Sequence, residues 1–318
     1  MERFEKDSEL SDRLAIAAGI LTAEKKENVF FDFPIGQKTT YRAGGSAALF
    51  LLIDNPGDLY PLAAALRESS LAMLCLGKGS NTLVSESGFV GICCALSDSF
   101  SYVKTDKKNL TVTCGAAAAL PQIARQSTAA GLSGLEWAVG IPGSCGGAVF
   151  MNAGGHGSDV ASVIKQASVF DIERQEILHS KSEEMVFSYR HSPLSGREIV
   201  LEAVFNVTPG DVQKSLAVIQ EIVAWRRVNQ PGGKNAGSVF KNPQGLSVGK
   251  LLDDLGFKGF RYNSACISEK HANFFQLDPG GKSDDVFVLI EMVRGKVLKE
   301  TGIVLEPEVK LVGFESLR

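Results

Sequence analysis

The sequence lacks any apolar run long enough to cross a membrane. A spanning helix needs roughly 18–20 consecutive apolar residues, and the longest candidate, residues 47–53, has the length and composition of one buried strand. The first ten residues, MERFEKDSEL, carry charges of both signs, and no apolar core of signal-peptide length follows them. We therefore expect a cytoplasmic protein with no membrane partner.

An excess of charge of one sign is also lacking. The chain has 33 Lys and Arg residues against 36 Asp and Glu, a formal net charge of −3, and no basic run. Nucleic-acid binding depends on a concentrated basic surface. The balance therefore argues against nucleic acid as a partner, and no pattern points to an obligate protein partner.

The six cysteines lack the spacing of a metal site or a disulfide framework. They show no CxxC pair and no cluster with histidine, and several lie inside apolar, strand-like runs. Buried cysteine in such a run behaves as a small apolar residue. We expect a reducing compartment and no structural metal.

Apolar patterning predicts an α+β protein with mixed sheets. Strands are expected at 47–53, 71–76, 91–96 and 110–114, interleaved with helices at 58–69 and 121–130. A strand-rich stretch covers 160–207, and Thr208-Pro209-Gly210 is a turn signal typical of a domain boundary. Amphipathic helices follow at 211–228 and 284–299. Their apolar residues are Val212, Leu216, Ile219, Ile222 and Val223 in the first, and Val286, Leu289, Ile290, Val293 and Val297 in the second.

Glycine is abundant, and it concentrates in three loops. The 33 glycines are about a tenth of the chain, against an average of about 7%. The loops are TTYRAGGSAA (39–48), CLGKGSNTLV (75–84) and GIPGSCGGAVFMNAGGHG (140–157). Dense glycine lets backbone N–H groups converge on an anion such as a pyrophosphate. The middle loop matches neither the Walker A nor the Rossmann spacing, and each loop alone also fits a pair of tight turns.

Together the motifs resemble a known flavoprotein family. The segments YRAGG, LGKGSN, GLSGLEWAVGIPGSCGGAVFMNAGG, FSYRHS, AGSVFKNP and LEPEV occur in the order found in the UDP-N-acetylenolpyruvoylglucosamine reductases. These have a vanillyl-alcohol oxidase-like FAD domain. The resemblance implies a two-part FAD-binding domain of the p-cresol methylhydroxylase (PCMH) type with mixed sheets, plus a C-terminal α+β substrate-binding domain. We expect FAD-binding subdomains at 1–98 and 99–210 and a substrate-binding domain at 211–318.

The resemblance also implies which residues bind FAD. Relatives that hold FAD covalently have histidine after the paired glycines of the first motif, whereas this chain has Ser46. Non-covalent FAD is therefore expected. The implied FAD-binding residues are Arg42, Gly77, Lys78, Gly79, Ser80, Asn81, Gly140, Ile141, Pro142, Gly143, Ser144, Gly146, Gly147, Asn152 and Gly154.

For the reaction, the family pattern implies NADPH as the reductant and an enolpyruvyl UDP-sugar as the substrate. Hydride addition at the terminal carbon places negative charge beside the carboxylate, so the site needs a carboxylate-binding group and a proton donor. By motif position, Arg190 binds the carboxylate, Ser238 donates the proton and Glu308 is the catalytic glutamate. Unlike many relatives, the chain continues after FSYRHS with Leu194 and Ser195, where an aromatic residue and a lysine are common.

Further residues are candidates for substrate binding: Arg227, Gln230, Lys241, Asn242 and His271. For His271, a structural role is an equally good interpretation. His156 either touches the flavin or completes a turn, and the turn is favoured. The 48 positions from Arg190 to Ser238 are too few for the tyrosine-bearing loop of the longer family form, so the chain resembles the shorter form.

Two other functions fit parts of the sequence. One is another vanillyl-alcohol oxidase-like flavin oxidoreductase, acting on a hydroxy acid or alcohol. It gives no reason for the motifs at both 236–243 and 305–309. The other is a non-catalytic nucleotide-binding module, which would carry no flavin.

Overall fold

The computed structural model describes residues 2–314. Its helices are α1 (Glu2–Lys25), α2 (Leu59–Ser69), α3 (Leu120–Ala129), α4 (Cys145–Met151), α5 (Val160–Val163), α6 (Val212–Asn229), α7 (Val248–Asp254) and α8 (Ser283–Thr301). Its strands are β1 (Val29–Phe33), β2 (Ala47–Ile53), β3 (Ala72–Cys75), β4 (Thr82–Val84), β5 (Phe89–Leu96), β6 (Val103–Asp106), β7 (Thr111–Gly115), β8 (Leu132–Ser133), β9 (Gly154–Gly155), β10 (Ser158–Asp159), β11 (Ile164–Asp171), β12 (Glu176–Lys181), β13 (Glu198–Asn206), β14 (Thr208–Pro209), β15 (Arg261–Tyr262), β16 (Ala265–Ile267), β17 (Phe275–Leu277) and β18 (Lys310–Val312).

The described residues form two compact units, and the chain passes between them several times. Unit 1 comprises residues 2–33, 47–78 and 90–223, and unit 2 comprises 34–46, 79–89 and 224–314. Helices accompany both parallel and antiparallel strand pairs, so the predicted α+β class is confirmed. The functional division at residues 98 and 210 stays a prediction. No helix within 2–314 has both the length and the apolar content required of a membrane span.

Unit 1 contains a first sheet with strand order β1-β2-β5-β3. The predicted strand at 47–53 and the helix at 58–69 are confirmed as β2 and α2. Strand β5 lies between β2 and β3 and pairs in parallel with β3. Alternate residues of β2 and the apolar face of α2 join one buried core, together with Ala17 and Leu21 of α1.

A second, antiparallel sheet of unit 1 has the order β12-β11-β13-β7-β6. Its central strands are buried on both faces. Val169 packs into a core with α3 and α4, whereas Phe170 packs into the core of the first sheet. This alternation follows the two-residue period of a strand. The helix expected at 121–130 is confirmed as α3.

Helix α6 confirms the predicted helix at 211–228 but corrects its buried face. The buried side chains are Ser215, Ile219 and Ile222, whereas Leu216 and Val223 are exposed by 36% and 44%. Residues of an α-helix are spaced about 100° apart, so Leu216 is displaced by about 60° from Ile219. The stripe of α6 that packs against the protein core is narrower than the full set of its apolar residues. Leu216 and Val223 therefore lie at the solvent-exposed edge of that stripe.

Unit 2 is built around one apolar core beneath the strands β15-β16-β17 and the parallel pair β18-β4. Helix α8 supplies the five side chains predicted for its buried face, and all of them are fully buried. Helix α7 was not predicted. It begins at the end of a stretch rich in glycine and asparagine, and Gly249 interrupts its helical pattern. Ser247 begins it, accepting a hydrogen bond from the Lys250 N–H.

Candidate active site

Ser238 begins a three-residue extended segment of unit 2, residues 238–240, which is held by isolated bridges and which we call the Ser238 strand. It forms an antiparallel bridge with Phe274, and the N–H of the next residue, Val239, donates to the Asn273 carbonyl over 2.8 Å. Gly237 precedes it with a φ of +76°, a left-handed conformation that favours glycine. The AGS motif therefore turns the chain sharply into the strand that carries the serine.

The segment that carries Glu308 pairs with the other edge of this short strand. The Glu308 N–H donates to the Val239 carbonyl over 2.7 Å, and Phe240 bridges Pro307. The Lys241 N–H donates to the carbonyl of Glu306 over 2.9 Å, and its ammonium lies 2.5 Å from the Glu306 carboxylate. The structure thus brings the Ser238 and Glu308 segments together as hydrogen-bonded neighbours.

Asn81 connects the middle glycine loop to the Glu308 segment. Its side-chain amide donates to the Glu308 carbonyl over 2.9 Å, and its own carbonyl accepts from Lys310 over 2.9 Å. Strand β4 then continues this pairing in parallel with β18. The sequence predicted Asn81 only as an FAD-binding residue. The contact was missed because 227 residues separate the partners.

The first glycine motif packs directly against the middle one in unit 2. A Cβ on Gly79 would lie 2.6 Å from the Lys38 carbonyl, and a Cβ on Gly44 would lie 2.2 Å from the Val84 carbonyl. Thr40 donates to the Gly79 carbonyl over 3.0 Å. Arg42 has a φ of +49°. A side chain at position 44 or 79 would collide with this backbone, which explains why both positions are glycine.

Tyr41 links the first motif to the strands of unit 2. It is fully buried, and its hydroxyl donates to the Phe275 carbonyl over 3.0 Å. Burial raises the pKa of the Tyr41 phenol well above its ordinary value. The motif therefore has a structural anchor that sequence reasoning did not identify.

In unit 1, the middle and third glycine loops converge. A Cβ on Gly77 would lie 2.5 Å from the Ser144 Oγ, which accepts a hydrogen bond from Gly147 over 3.3 Å. A Cβ on Gly146 would lie 2.9 Å from that of Ala116. The third loop is not wholly irregular, as the sequence suggested, because Ser144 caps α4. A 3-10 helix ends at Gly140, and the cap is preceded by the remaining candidates Gly140, Ile141, Pro142 and Gly143.

Asn152 and Gly154 lie just after α4, where Asn152 ends the helix in the left-handed conformation. The amide of Asn152 donates to the Ser188 carbonyl over 2.8 Å, and its oxygen accepts from Ala161 over 2.9 Å. One half of this buried amide therefore holds the third loop against the FSYRHS segment, and the other half holds it against the first turn of α5.

Arg190 lies at the tip of a tight turn in which Ser188 and His191 exchange backbone hydrogen bonds. Its φ is +54°. The guanidinium donates to the Gly154 carbonyl over 2.9 Å and stacks 5.1 Å from the centre of the Tyr189 ring. Arg190 thus contacts the third glycine loop, and both belong to unit 1.

The two candidate histidines, His156 and His271, both make structural contacts. His156 completes the turn between β9 and β10 at a φ of +53°, as predicted, and its ring lies where a Cβ on Gly140 would approach within 2.6 Å. His271 accepts from the Asn273 N–H over 3.2 Å, and its ring leaves no room for a side chain at Gly249. Burial lowers the pKa of His271 below its ordinary value.

The remaining substrate-binding candidates all belong to unit 2 and have partners within it. Asn242 accepts from the Val248 N–H over 2.9 Å, and Gln230 accepts from the Arg226 guanidinium over 2.8 Å. The Arg227 carbonyl accepts from Lys270 over 3.2 Å. Lys241 pairs with Glu306, as described above. Their role in substrate binding stays a prediction.

The residues of the glycine loops fit a flavin diphosphate. The Ser144 hydroxyl lies close to Gly77 where the middle and third loops meet in unit 1, and the backbone of residues 38 and 39 lies close to Gly79 in unit 2. Glycine at such close approaches leaves backbone N–H groups unobstructed, which is what an anion-binding nest requires. Residues Lys78 and Ser80 lie within the same middle loop.

Comparison with known proteins identifies the chain's relatives. Residues 47–180 match the family model described as "FAD binding domain", and residues 228–312 match "UDP-N-acetylenolpyruvoylglucosamine reductase, C-terminal domain". The UDP-N-acetylenolpyruvoylglucosamine reductase of Heliobacterium modesticaldum is 41% identical over 283 residues, covering 88% of this chain and 89% of that protein. That of Geotalea uraniireducens is 35% identical over 296 residues, covering 93% and 97%.

A solved structure agrees with these sequences. The crystal structure of UDP-N-acetylenolpyruvylglucosamine reductase from Thermus caldophilus superposes with a TM-score of 0.75 at 31% identity, covering 89% of this chain and 98% of that one. The agreement extends over both the FAD-binding region and the C-terminal region. This chain belongs to the UDP-N-acetylenolpyruvoylglucosamine reductase family.

Proposed function

We propose that this chain is an FAD-dependent oxidoreductase that uses NADPH to reduce enolpyruvyl-UDP-N-acetylglucosamine, UDP-N-acetyl-3-O-(1-carboxyvinyl)-glucosamine, to UDP-N-acetylmuramate. This reaction belongs to peptidoglycan precursor synthesis, and with it to building the bacterial cell wall. The observation that carries the proposal is the pairing of the Ser238 and Glu308 segments on one short strand of unit 2. Membership of the family supports the same conclusion.

FAD, bound non-covalently, supplies the hydride-transfer chemistry between NADPH and the substrate. We assign its binding to the residues named above in the three glycine loops, which would hold the diphosphate near the point where Gly77 meets the Ser144 hydroxyl. The proposal keeps FAD binding within residues 1–98 and 99–210 and substrate binding within 211–318. NADPH and the UDP-sugar are charged metabolites that do not cross a bilayer unaided, so we assign a cytoplasmic location.

The protein residues handle the charge and the proton. Hydride addition to the terminal carbon of the enolpyruvyl group leaves an electron pair on the adjacent carbon, delocalised onto the carboxylate as an enediolate. Arg190 binds that carboxylate, since a guanidinium matches its two oxygens. Ser238 donates its hydroxyl proton to the adjacent carbon. The net change is addition of one hydride and one proton across the double bond.

Glu308 lies in the segment hydrogen-bonded to the residue after Ser238 and acts on the same region of the substrate. Its backbone is fixed at both ends of the residue, by the Val239 and Asn81 hydrogen bonds. We assign five further residues to the surroundings of the UDP moiety: Lys241, Asn242, Arg227, Gln230 and His271.

Anaerobic half-reactions test the proposal. The yellow protein is first reduced and is then mixed with the enolpyruvyl UDP-sugar, and flavin reoxidation is followed by the return of absorbance. We expect rapid reoxidation without oxygen. A reduced flavin that oxygen reoxidises but the enolpyruvyl sugar does not would reject the proposal in favour of another flavin oxidoreductase. A protein that binds no FAD would indicate a nucleotide-binding module.

Replacing Ser238 tests the proton donor. In Ser238→Ala, reduction by NADPH should be unchanged, while reoxidation by the substrate should slow by roughly 10²–10⁴-fold, the usual contribution of a general acid. Ser264→Ala is the matched control, because Ser264 hydrogen-bonds Asp285 at the other end of the unit 2 sheet. Equal rates in Ser238→Ala and the control would remove Ser238 from the role.

A further inference from the structure

We propose that Asn273 is a positioning residue for proton donation, acting by clamping the strand that carries Ser238. The inference rests on the proposed function, because it assigns Asn273 to the same step as Ser238. It is carried by a set of three hydrogen bonds from one buried asparagine to two consecutive residues of that strand.

The side chain of Asn273 mimics a neighbouring peptide. Its Oδ1 accepts from the Phe240 N–H over 3.0 Å, and its Nδ2 donates to the Phe240 carbonyl over 2.8 Å. Its main-chain carbonyl accepts from the Val239 N–H over 2.8 Å. One residue thus pairs with three backbone groups of the Ser238 strand, the two N–H groups of Val239 and Phe240 and the Phe240 carbonyl. We call this arrangement the Asn273 clamp.

The clamp matters because the strand is so short. Residues 238–240 have only single bridges to Phe274 on one side and Pro307 on the other. Few backbone hydrogen bonds can form over three residues, so the amide of Asn273 supplies the pairing that a longer neighbouring strand would provide. Asn273 and Phe240 are 2% and 0% exposed, so water is not available to replace these bonds.

The clamp also fixes Ser238 relative to Glu308. Val239, which donates to the Asn273 carbonyl, accepts at its own carbonyl from the Glu308 N–H. A shift of the strand would therefore move the Ser238 hydroxyl with respect to both Glu308 and the substrate. Small misplacements of a catalytic group are costly, and about 1 Å can reduce a rate by roughly 100-fold.

Asn273→Ala removes the two side-chain bonds. We expect reoxidation by the enolpyruvyl sugar to slow by roughly 10- to 100-fold, with the rate constant of reduction by NADPH unchanged. The rate constants report on the folded, flavin-loaded molecules alone, so partial unfolding lowers only the amplitude. Independently of activity, amide hydrogen exchange of the peptide containing Phe240 should accelerate by roughly 10-fold or more, because its N–H loses its acceptor.

Combining the variant with Ser238→Ala separates positioning from general damage. If Asn273 acts through Ser238, Asn273→Ala should slow reoxidation little or not at all once the hydroxyl is gone, so the two effects should not add. Additive effects would mean that Asn273 influences the reaction by another route and would overturn the inference.

Asn273→Asp provides a rescue that depends on pH. A protonated carboxyl group has one acceptor and one donor oxygen, so it can replace the amide, whereas the carboxylate cannot donate to the Phe240 carbonyl. Burial raises the pKa of such a carboxyl. Reoxidation should therefore recover as the pH falls, relative to wild type at each pH. That ratio also corrects for His271, the titratable side chain that contacts the Asn273 backbone.

The outcomes are distinguishable from failure of the proposed function. If wild-type reduced flavin is not reoxidised by the enolpyruvyl sugar, the function itself is wrong. If wild type and Ser238→Ala behave as expected but Asn273→Ala matches the Ser264→Ala control, the positioning role is wrong. Should Asn273→Ala fail to fold, Asn273→Asp decides: recovery in acid supports the clamp, and a rate independent of pH overturns it.

Discussion

Gly77→Ala should weaken α4 by displacing its capping serine. The new Cβ would lie 2.5 Å from the Ser144 Oγ but 3.7 Å from its Cβ. Rotation of the hydroxyl relieves the collision and breaks its hydrogen bond with the Gly147 N–H. Loss of a serine cap typically costs about 1 kcal/mol, with a range of roughly 0.5–2 kcal/mol. For a domain the size of unit 1, with about 200 residues, each kcal/mol lowers the melting temperature by about 2–4 °C.

A double-mutant cycle measured by thermal unfolding of the apo protein tests this reasoning. Ser144→Ala should cost about as much as Gly77→Ala, and the double variant should be no less stable than Ser144→Ala alone, because no hydroxyl remains to collide. It could even gain about 0.4–1 kcal/mol from the lower entropy of the unfolded chain. Gly155→Ala is the control, since its Cβ has no atom within 4 Å. Additive losses in the double variant would refute the collision.

Gly77→Ala should also weaken FAD binding. Gly77→Ala should raise the Kd for FAD, measured by flavin fluorescence, whereas Gly155→Ala should leave the contact between the two loops intact. Arg190→Lys should lower turnover by roughly 10- to 100-fold, because the fork that reaches both Gly154 and the substrate carboxylate is lost. Arg125→Lys on the exposed surface of α3 is the control, and equal turnover in the two variants would contradict the assignment. Because burial lowers the pKa of folded His271, its stabilising contribution is present above the unfolded value of about 6.5 and is lost as the pH falls below it. Urea unfolding at pH 7.5 and 5.5 should show a smaller loss of stability in His271→Gln than in wild type; equal losses would contradict it.

The regular elements were predictable where local pattern and burial agree. The apolar stripe of α8 has the spacing of a helix packed over its full width, and all five predicted residues are buried. In α6 the same kind of pattern overestimated the contact, because helix periodicity reports which residues are apolar but not how wide the contacting surface is. Helices α4 and α7 were missed because glycine within seven residues masks the helical pattern, although Ser144 and Ser247 provide capping signals.

The candidate site was predictable as a set of residues but not as a geometry. The motif order indicates that Ser238 and Glu308 belong together, yet nothing in the 69 residues between them states which backbone groups pair. Asn81 and Asn273 illustrate the difficulty. Sequence reasoning noted only Asn81, and each uses its amide on the backbone of a segment distant in sequence. A side-chain amide can both donate and accept hydrogen bonds, so the sequence alone does not indicate which backbone group it will bond.

These long-range amides suggest why the site is assembled from short segments. Strand 238–240 is too short to be stabilised by a ladder of its own, so its position depends on Asn273 on one side and on the Glu308 segment on the other. The Glu308 segment is in turn held by Asn81, a residue of the middle glycine loop. A change in that loop can therefore reach the proton donor through two residues, by way of the Glu308 carbonyl and the Val239 carbonyl. Within unit 2, hydrogen bonds to backbone carbonyls thus connect Asn81, assigned to cofactor binding, with Glu308 and Ser238, assigned to catalysis.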